Sequence, residues 1–400
     1  MNLNNASEAI TYAKDVVNGN VKAGLYIKQA CQRFLDDLDV YEYNEKKVNN
    51  CLKFMNCLRH YVGKSSGSRF ILLPFQVFII ANIVGLYKDG HRKYTQSYIQ
   101  LARKQGKSFL ASALCLYFLL ADGEAAAEVL LLANSREQAK TVDFKTVSTL
   151  IKQLDPKGKM TNVFRDSIDV PKTISRLKVL SAEATSGDGY NCSFGLIDEF
   201  HEAPDQKMKD LVVSSQGMRE NPHCCIITTA GFDLSKPCYN LRSYCLEVLA
   251  KVKEDDTLFA AIYELDEGDD YTDEENWIKS NPALNQTVTL KYIREQVNKA
   301  KNNPSDEVSV KTKTLNIWCQ SADVWLSENI INKNTQNINL EDFKGCVAYL
   351  GVDLAAVSDL TSLSALIPKD GKYYYKTFYY VPQSALEDKV LKESYKKWRN

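Results

Sequence analysis

The sequence predicts an α/β protein with a parallel-rich sheet flanked by helices and its chemistry at the carboxyl ends of the strands. Three stretches predict it. Tyr98 to Ser108 reads as a short β-type run, a tight loop and a Gly-Lys-Ser that opens the helix-forming segment Phe109 to Leu120. Ser193 to Glu199 is an apolar run closing on two carboxylates. Cys224 to Thr229 is a third apolar run, closing on two threonines. Parallel strands buried on both faces read as near-continuous apolar runs, and such sheets gather their ligands beyond the strand carboxyl ends.

The first stretch has the layout of a phosphate cradle. N–H groups of a loop and of a helix start face an anion, and the positive end of the helix adds to the attraction. Ala102, Arg103, Lys104, Gln105 and Gly106 form the loop; Lys107 would reach the β/γ-phosphates and the Ser108 hydroxyl would bind Mg²⁺. In the pattern G-x-x-x-x-G-K-[ST] the first Gly falls at Leu101, so the match has a defect. Gly-Lys-Ser alone is a common tripeptide, and an Asp-Glu strand end alone is ordinarily a solvated cap. Together they imply nucleotide hydrolysis: Asp198 would hold Mg²⁺ through water and Glu199 would polarise the attacking water. The expectation is a P-loop, ASCE-type ATPase that takes ATP and Mg²⁺.

Four hundred residues suggest two or more domains. Fifty basic residues balance fifty acidic ones, which excludes a polybasic coat for nucleic acid but not basic residues lining one channel. The eleven cysteines form no Cys-x-x-Cys pair and are expected to be reduced, buried thiols. The amino terminus has no basic region followed by an apolar core, so no signal peptide is expected. The longest apolar run, Phe75 to Leu86, is interrupted by Gln76 and Asn82 and is too short for a membrane span.

In chain order, residues 1–65 read as an accessory helical segment, with stripes such as Val48, Cys51, Leu52 and Met55 at helical spacing. Gly63-Lys64-Ser65-Ser66-Gly67 looks like a second phosphate loop but lacks a feeding strand and is read as a loop. An ATPase core is expected over 66–250. In it Pro74 starts a helix, His91-Arg92-Lys93 is solvated charge, Glu128 to Ala133 is a buried strand, and Ser135 caps a helix that carries Arg136. Arg136 is either an arginine finger or an ordinary helix-start Arg. Leu177 to Ala182 reads as a further strand and Thr185 to Gly189 as a loop. A helical linker is expected over 251–330, opening with an exposed acidic stretch from Glu254 to Asp273. Beyond the Asn-rich 329–339 a further domain is expected over 340–400. It holds a strand ending Gly351-Val352-Asp353, a tight return and two more strands.

Ala102 to Ser108 (Ala-Arg-Lys-Gln-Gly-Lys-Ser) resembles the phosphate loop of bacteriophage terminase large subunits, which lacks the first Gly and carries Arg where Arg103 stands. The resemblance runs from about Leu72 to Ser364 and takes in Ile197-Asp198-Glu199-Phe200-His201-Glu202, Thr228-Thr229-Ala230-Gly231, the Trp-x-x-x-Asn-Pro at Trp277 and the Leu-Asn-x-Trp closing at Trp318. It implies that Phe75 stacks on adenine and Gln76 hydrogen-bonds the base edge. It implies that Thr228 and Thr229 sense the γ-phosphate and couple hydrolysis to movement. No chemistry is carried over onto the Trp277 and Trp318 motifs.

By the same resemblance, the Gly-x-Asp hairpin is the start of an RNase H-like nuclease, with Asp353 the first ligand of a two-metal site taking Mg²⁺ or Mn²⁺. Its strand is expected at the centre of a small sheet, and Asp359 is read as a turn residue. No candidate acidic strand follows Val381, so the nuclease is expected to be truncated or a remnant. The family's implied partners are double-stranded DNA, a small terminase subunit, the portal ring and further copies of the chain in a ring, in the host cytoplasm. Two competing readings are a helicase or remodelling ATPase without nuclease, and a scaffold with a vestigial nucleotide site. The first would need a second recombination-like lobe; the second would have lost Lys107 or Glu199.

Overall fold

The computed structural model describes residues 3–135, 144–181, 189–320, 333–354 and 360–381. The chain divides into two compact units, Met1–Ser327 and Glu328–Asn400.

The first unit carries a small antiparallel sheet of β1 (Glu42–Tyr43), β2 (Leu86–Lys88) and β3 (His91–Arg92) and is built on an eight-stranded sheet. Its strands are β4 (Gln96–Gln100), β5 (Glu128–Ala133), β6 (Asn162–Val163), β7 (Ser167–Val170), β8 (Ser175–Ser181), β9 (Phe194–Asp198), β10 (His223–Thr228) and β11 (Leu258–Ile262). The order is β11-β4-β10-β9-β5-β8-β7-β6; the six strands from β11 to β8 are parallel, and β7 and β6 extend the sheet antiparallel. Every residue of β9 and β10 is buried, which is why both read as unbroken apolar runs. β10 lies between the phosphate-loop strand β4 and the acidic strand β9, with Thr228 level with Gln100 and Ile227 level with Asp198. That order lines up the ends of all three strands.

Helix α5 (Lys107–Leu120) follows the loop after β4 and is buried along nearly its whole length. α4 (Pro74–Gly85) starts with Pro at its first position, where the missing N–H costs nothing. The amino-terminal helices α1 (Ser7–Val17), α2 (Leu25–Asp37) and α3 (Glu45–Cys57) join the same hydrophobic core through residues such as Val16, Phe34 and Met55. α2 is also tied to the sheet edge: the Arg33 guanidinium donates to the Leu258 and Asp255 carbonyls. Beyond β11, Leu265, Trp277, Ile293, Val297 and Leu315 build a smaller second core.

Two expectations about charged stretches of the first unit are overturned. The stretch from Glu254 to Asp273 is not exposed throughout: Leu258 to Ile262 is a fully buried strand paired with β4. Its five apolar residues are short beside the acids that flank them. Arg92 and Lys93 are not solvated either. Arg92 is buried in an ion pair with Asp122 and lies over the Phe118 ring, and Lys93 is buried against Asp37. A buried cation needs such a partner, and both partners are remote in sequence. All eleven cysteines are free thiols.

His223 is fully buried, with Nδ1 donating to the Tyr94 carbonyl at 3.0 Å and Nε2 accepting from the Ser97 hydroxyl at 2.9 Å. That is the bonding of a neutral imidazole. Burial drives its pKa down to about 3 despite the Tyr94 carbonyl, with Arg92 nearby adding to the fall. Because the folded value lies below the unfolded one, the unfolded chain binds more protons between them. The stabilisation is therefore complete above about pH 6.5 and declines by about 1.4 kcal/mol per pH unit as pH falls towards 3. Urea unfolding at pH 7, 6 and 5 should show a steeper acid loss for the wild type than for His223→Asn. Equal slopes would refute this assignment.

The second unit contains a three-stranded antiparallel sheet of β12 (Tyr349–Asp353), β13 (Thr361–Lys369) and β14 (Lys372–Tyr380), in that order. β12 was expected at the centre. Among the described residues it pairs with β13 alone, and all its residues are exposed. Asp359 lies outside the described residues. No described helix is long and apolar enough to cross a membrane.

Candidate active site at the strand carboxyl ends

The loop after β4 is fixed residue by residue. Leu101, at the place of the missing glycine, is fully buried; its N–H donates to the Thr228 carbonyl and its own carbonyl accepts from Lys107 Nζ at 3.1 Å. Ala102 is buried, whereas Arg103 and Lys104 are exposed. Gly106 takes φ +80°, a left-handed conformation, and a Cβ there would lie 3.1 Å from Gln76 Nε2. A side chain at this helix start would therefore meet both strain and a neighbour.

Lys107 and Glu199 face each other, Nζ to Oε1, at 3.6 Å. Burial works against both charges. Lys107 is pulled below the usual lysine range by burial, opposed by Glu199 and Asp198. In Glu199 the effect of burial is overcome by Lys107, His201 and Arg103, which hold the carboxyl well below its usual range. Glu199 adopts φ +50°, and its N–H donates to the Ile227 carbonyl. Buried Asp198 accepts from the Glu199 N–H at 2.9 Å. Arg103, Lys104, Gly106, Lys107, Ser108, Phe109, Asp198, Glu199 and Glu202 together line one cleft of about 430 Å³.

That cleft suits a phosphate and a divalent cation. α5 begins without any side-chain cap, leaving its first N–H groups to an outside acceptor. The Glu199 Oε2 atom is buried without a hydrogen bond. The Ser108 hydroxyl and the Asp198 carboxylate are hard oxygen donors of the kind Mg²⁺ takes. A larger hollow of about 580 Å³, lined by Glu128, Arg176 and Arg219, is less suited. There Arg219 is spent on the Ala125, Ala126 and Asn191 carbonyls, and Glu128 accepts from the Asn191 N–H.

The other expected residues are not among those that line this cleft. Thr228 and Thr229 are buried at the end of β10. Phe75 is buried with its ring edge-on to Tyr263, beside a small cavity of about 160 Å³ that Pro282 and Lys279 also line. Gln76 is buried, its Oε1 accepting from the Leu73 N–H. Gln105 is buried, and its amide is held by the Asn281 side chain and the Ala283 N–H. Asp353 sits exposed in the second unit, and among the described residues no three His, Cys, Asp or Glu side chains gather to hold a metal. Arg136 and most of the Thr185 to Gly189 loop lie outside the described residues.

Sequence reasoning reads the Trp277 and Trp318 motifs as part of a linker closing the ATPase, without the contacts by which they do so. Asn316, fully buried at φ +59°, accepts from the Ala230 N–H at 2.8 Å and donates to the Tyr263 carbonyl at 2.6 Å. Trp318 Nε1 donates to Gln100 Oε1 at 2.9 Å and its ring packs so closely on Gly231 that a Cβ there would come within 2.9 Å. The Arg103 N–H donates to the Lys313 carbonyl. The segment after β11 thus grips the ends of β4 and β10. Both motifs were visible as patterns, but nothing in them names partners 53 to 218 residues away.

The model for the ATPase domain of terminase large subunits matches residues 74–247, and that for the endonuclease domain of the same subunits matches residues 252–400. The chain belongs to the terminase large subunit family. Over 226 residues, 53% of this chain, it is 32% identical to protein YmfN of Escherichia coli (strain K12), covering 49% of that protein. Over 342 residues, 82% of this chain, it is 28% identical to the terminase large subunit of Enterobacteria phage HK97, covering 64% of it. The chain thus spans about half the length of the first relative and under two thirds of the second. Its fold is also that of the crystal structure of the HK97 bacteriophage large terminase, with a TM-score of 0.57 at 23% identity over 88% of this chain and 72% of that one. The two domain families imply use of a nucleotide and of divalent metal. The endonuclease match begins ahead of β11, within the first compact unit, so it includes the segment that grips the phosphate loop.

Proposed function

We propose that this chain is the motor subunit of a viral DNA-packaging machine. It hydrolyses ATP to drive duplex DNA into a procapsid, and its second unit belongs to a metal-dependent nuclease that cuts concatemeric DNA. The observation that carries the reading is the meeting of Lys107 and Glu199 in one cleft with Ser108 and Asp198. Lys107 and the start of α5 would bind the β/γ-phosphates, Ser108 and Asp198 would hold Mg²⁺, and the ion would offset phosphate charge when bound. Glu199 would take the proton of the attacking water. Phe75 and Gln76 would receive the adenine, and Thr228 and Thr229 would sense the γ-phosphate. Asp353 would be one of several ligands for Mg²⁺ or Mn²⁺ in the nuclease. The partners are double-stranded DNA, a small terminase subunit, the portal and other copies of the chain in a ring, in the host cytoplasm.

The direct experiment is ATP turnover with Mg²⁺, with and without linear duplex DNA. Turnover that needs Mg²⁺ and rises with DNA is expected. Absence of turnover with both present would overturn the motor reading.

A further inference from the structure

His201 stands between the catalytic carboxylate and the threonines at the end of β10. Its Nδ1 hydrogen-bonds Thr228 Oγ1 at 3.1 Å and lies 3.4 Å from Thr229 Oγ1. The same nitrogen is 3.2 Å from Glu199 Oε2, an oxygen that makes no hydrogen bond. The His201 N–H also donates to Thr228 Oγ1 at 3.1 Å. The ring is nearly enclosed: Glu202 Oε1 is 3.8 Å from Nε2, and a Cβ at Gly231 would come 3.3 Å from His201 Cβ.

The bonding fixes where the ring proton sits. The Thr228 hydroxyl donates to the Thr229 carbonyl at 3.0 Å, so its oxygen is left to accept. Nδ1 must then carry the hydrogen, and a hydrogen there also suits the nearby Glu199 anion. One N–H thus has three takers, the Glu199 carboxylate oxygen, the Thr228 hydroxyl and, farthest off, the Thr229 hydroxyl, which itself donates to the Ala230 carbonyl. On the other side of Glu199, Oε1 faces Lys107 at 3.6 Å. The Glu199 carboxylate thus lies between Lys107 Nζ on one side and His201 Nδ1 on the other.

We propose that His201 is a positioning residue whose single Nδ1–H toggles between Glu199 and Thr228, tying the carboxylate's place to the end of β10. The proposal rests on the reading of Glu199 as the base. When Lys107 turns to phosphate, Glu199 loses one of its two holds and swings towards the attacking water. The His201 N–H then passes wholly to Thr228. That strand end is continuous with Ala230 and Gly231, which Asn316 and Trp318 grip, so the movement of the carboxylate reaches the segment after β11.

The test is steady-state ATP turnover of the full chain carrying His201→Ala, His201→Asn, Thr228→Val and the His201→Ala/Thr228→Val pair, with Glu199→Gln as reference. His201→Ala should lower kcat by about 10- to 100-fold with KM changed by less than about threefold. Asn offers an amide N–H near the place of Nδ1 and should recover most of the loss. The two single changes should be non-additive, the pair costing about as much as the worse one, because they remove one shared bond. His201→Ala at the wild-type rate, while Glu199→Gln is dead, would overturn the toggle and leave the base intact. Equal losses for Ala and Asn, or a fully additive pair, would also overturn it and leave a packing role. Glu199→Gln turning over normally would instead sink the reading on which the proposal rests.

Discussion

Glu199→Gln should bind ATP about as well as the wild type and turn it over about 10²- to 10⁴-fold more slowly, the usual cost of losing a catalytic base. Gln keeps the size of Glu and its backbone, which is fixed by the Ile227 carbonyl and by the Asn134 side chain donating to the Glu199 carbonyl. It cannot accept the proton of the attacking water. Lys107 and His201 hold the wild-type carboxyl well below its usual range. It therefore stays ionised through the neutral and mildly acidic range, and protonation of Glu199 should not limit turnover there. Lys107→Ala should behave differently. It removes a buried cation from the floor of the cleft and should weaken nucleotide binding itself. Binding of a fluorescent ATP analogue, followed beside turnover, separates the two. A Glu199→Gln chain that hydrolyses ATP normally would show that another group activates the water.

The parts of the site that depend on local pattern were legible in the sequence. Glu128 to Ala133 reads as a strand and is one, because a central parallel strand is apolar on both faces. Gly-Lys-Ser after a β-run reads as a loop and helix start, and α5 begins at Lys107. What was not legible depends on partners far along the chain. The placing of β10 between β4 and β9 leaves no periodic mark on any of the three strands, yet it is what brings Thr228 to His201. Arg92 and Lys93 read as surface charge because Asp122 and Asp37 lie 30 and 56 residues away. Leu258 to Ile262 was lost among its acidic flanks although it closes the sheet beside β4. Asn316 shows the same limit at one residue. A buried Asn in the left-handed region looks like any turn residue until the Ala230 N–H and the Tyr263 carbonyl are found on its amide.

The largest expected effect belongs to the arginines. An arginine that meets the charge developing on a transferring phosphoryl group is worth about 10³–10⁵ in rate. Arg103 lines the cleft beside Lys107, and its exposed side chain springs from a backbone N–H bound to the Lys313 carbonyl. We propose that Arg103 acts within its own subunit. Arg103→Ala should therefore lose turnover on that scale, and Arg103→Lys should recover only part of it, because an ammonium cannot match the planar fork of a guanidinium. Arg136 follows β5, the neighbour of the acidic strand, and is the candidate to reach an adjacent subunit. Mixing inactive Arg136→Ala chains with inactive Glu199→Gln chains distinguishes the two roles. If Arg136 acts in trans, a mixed ring places an intact Arg136 against an intact Glu199 and turnover returns. The same mixture made with Arg103→Ala should stay dead, since the Arg103 sites lack their own arginine and the others lack the base. No recovery with Arg136→Ala, under conditions where the chains are seen to assemble, would remove Arg136 from the trans role. Recovery with Arg103→Ala would move Arg103 out of its own site and into its neighbour's.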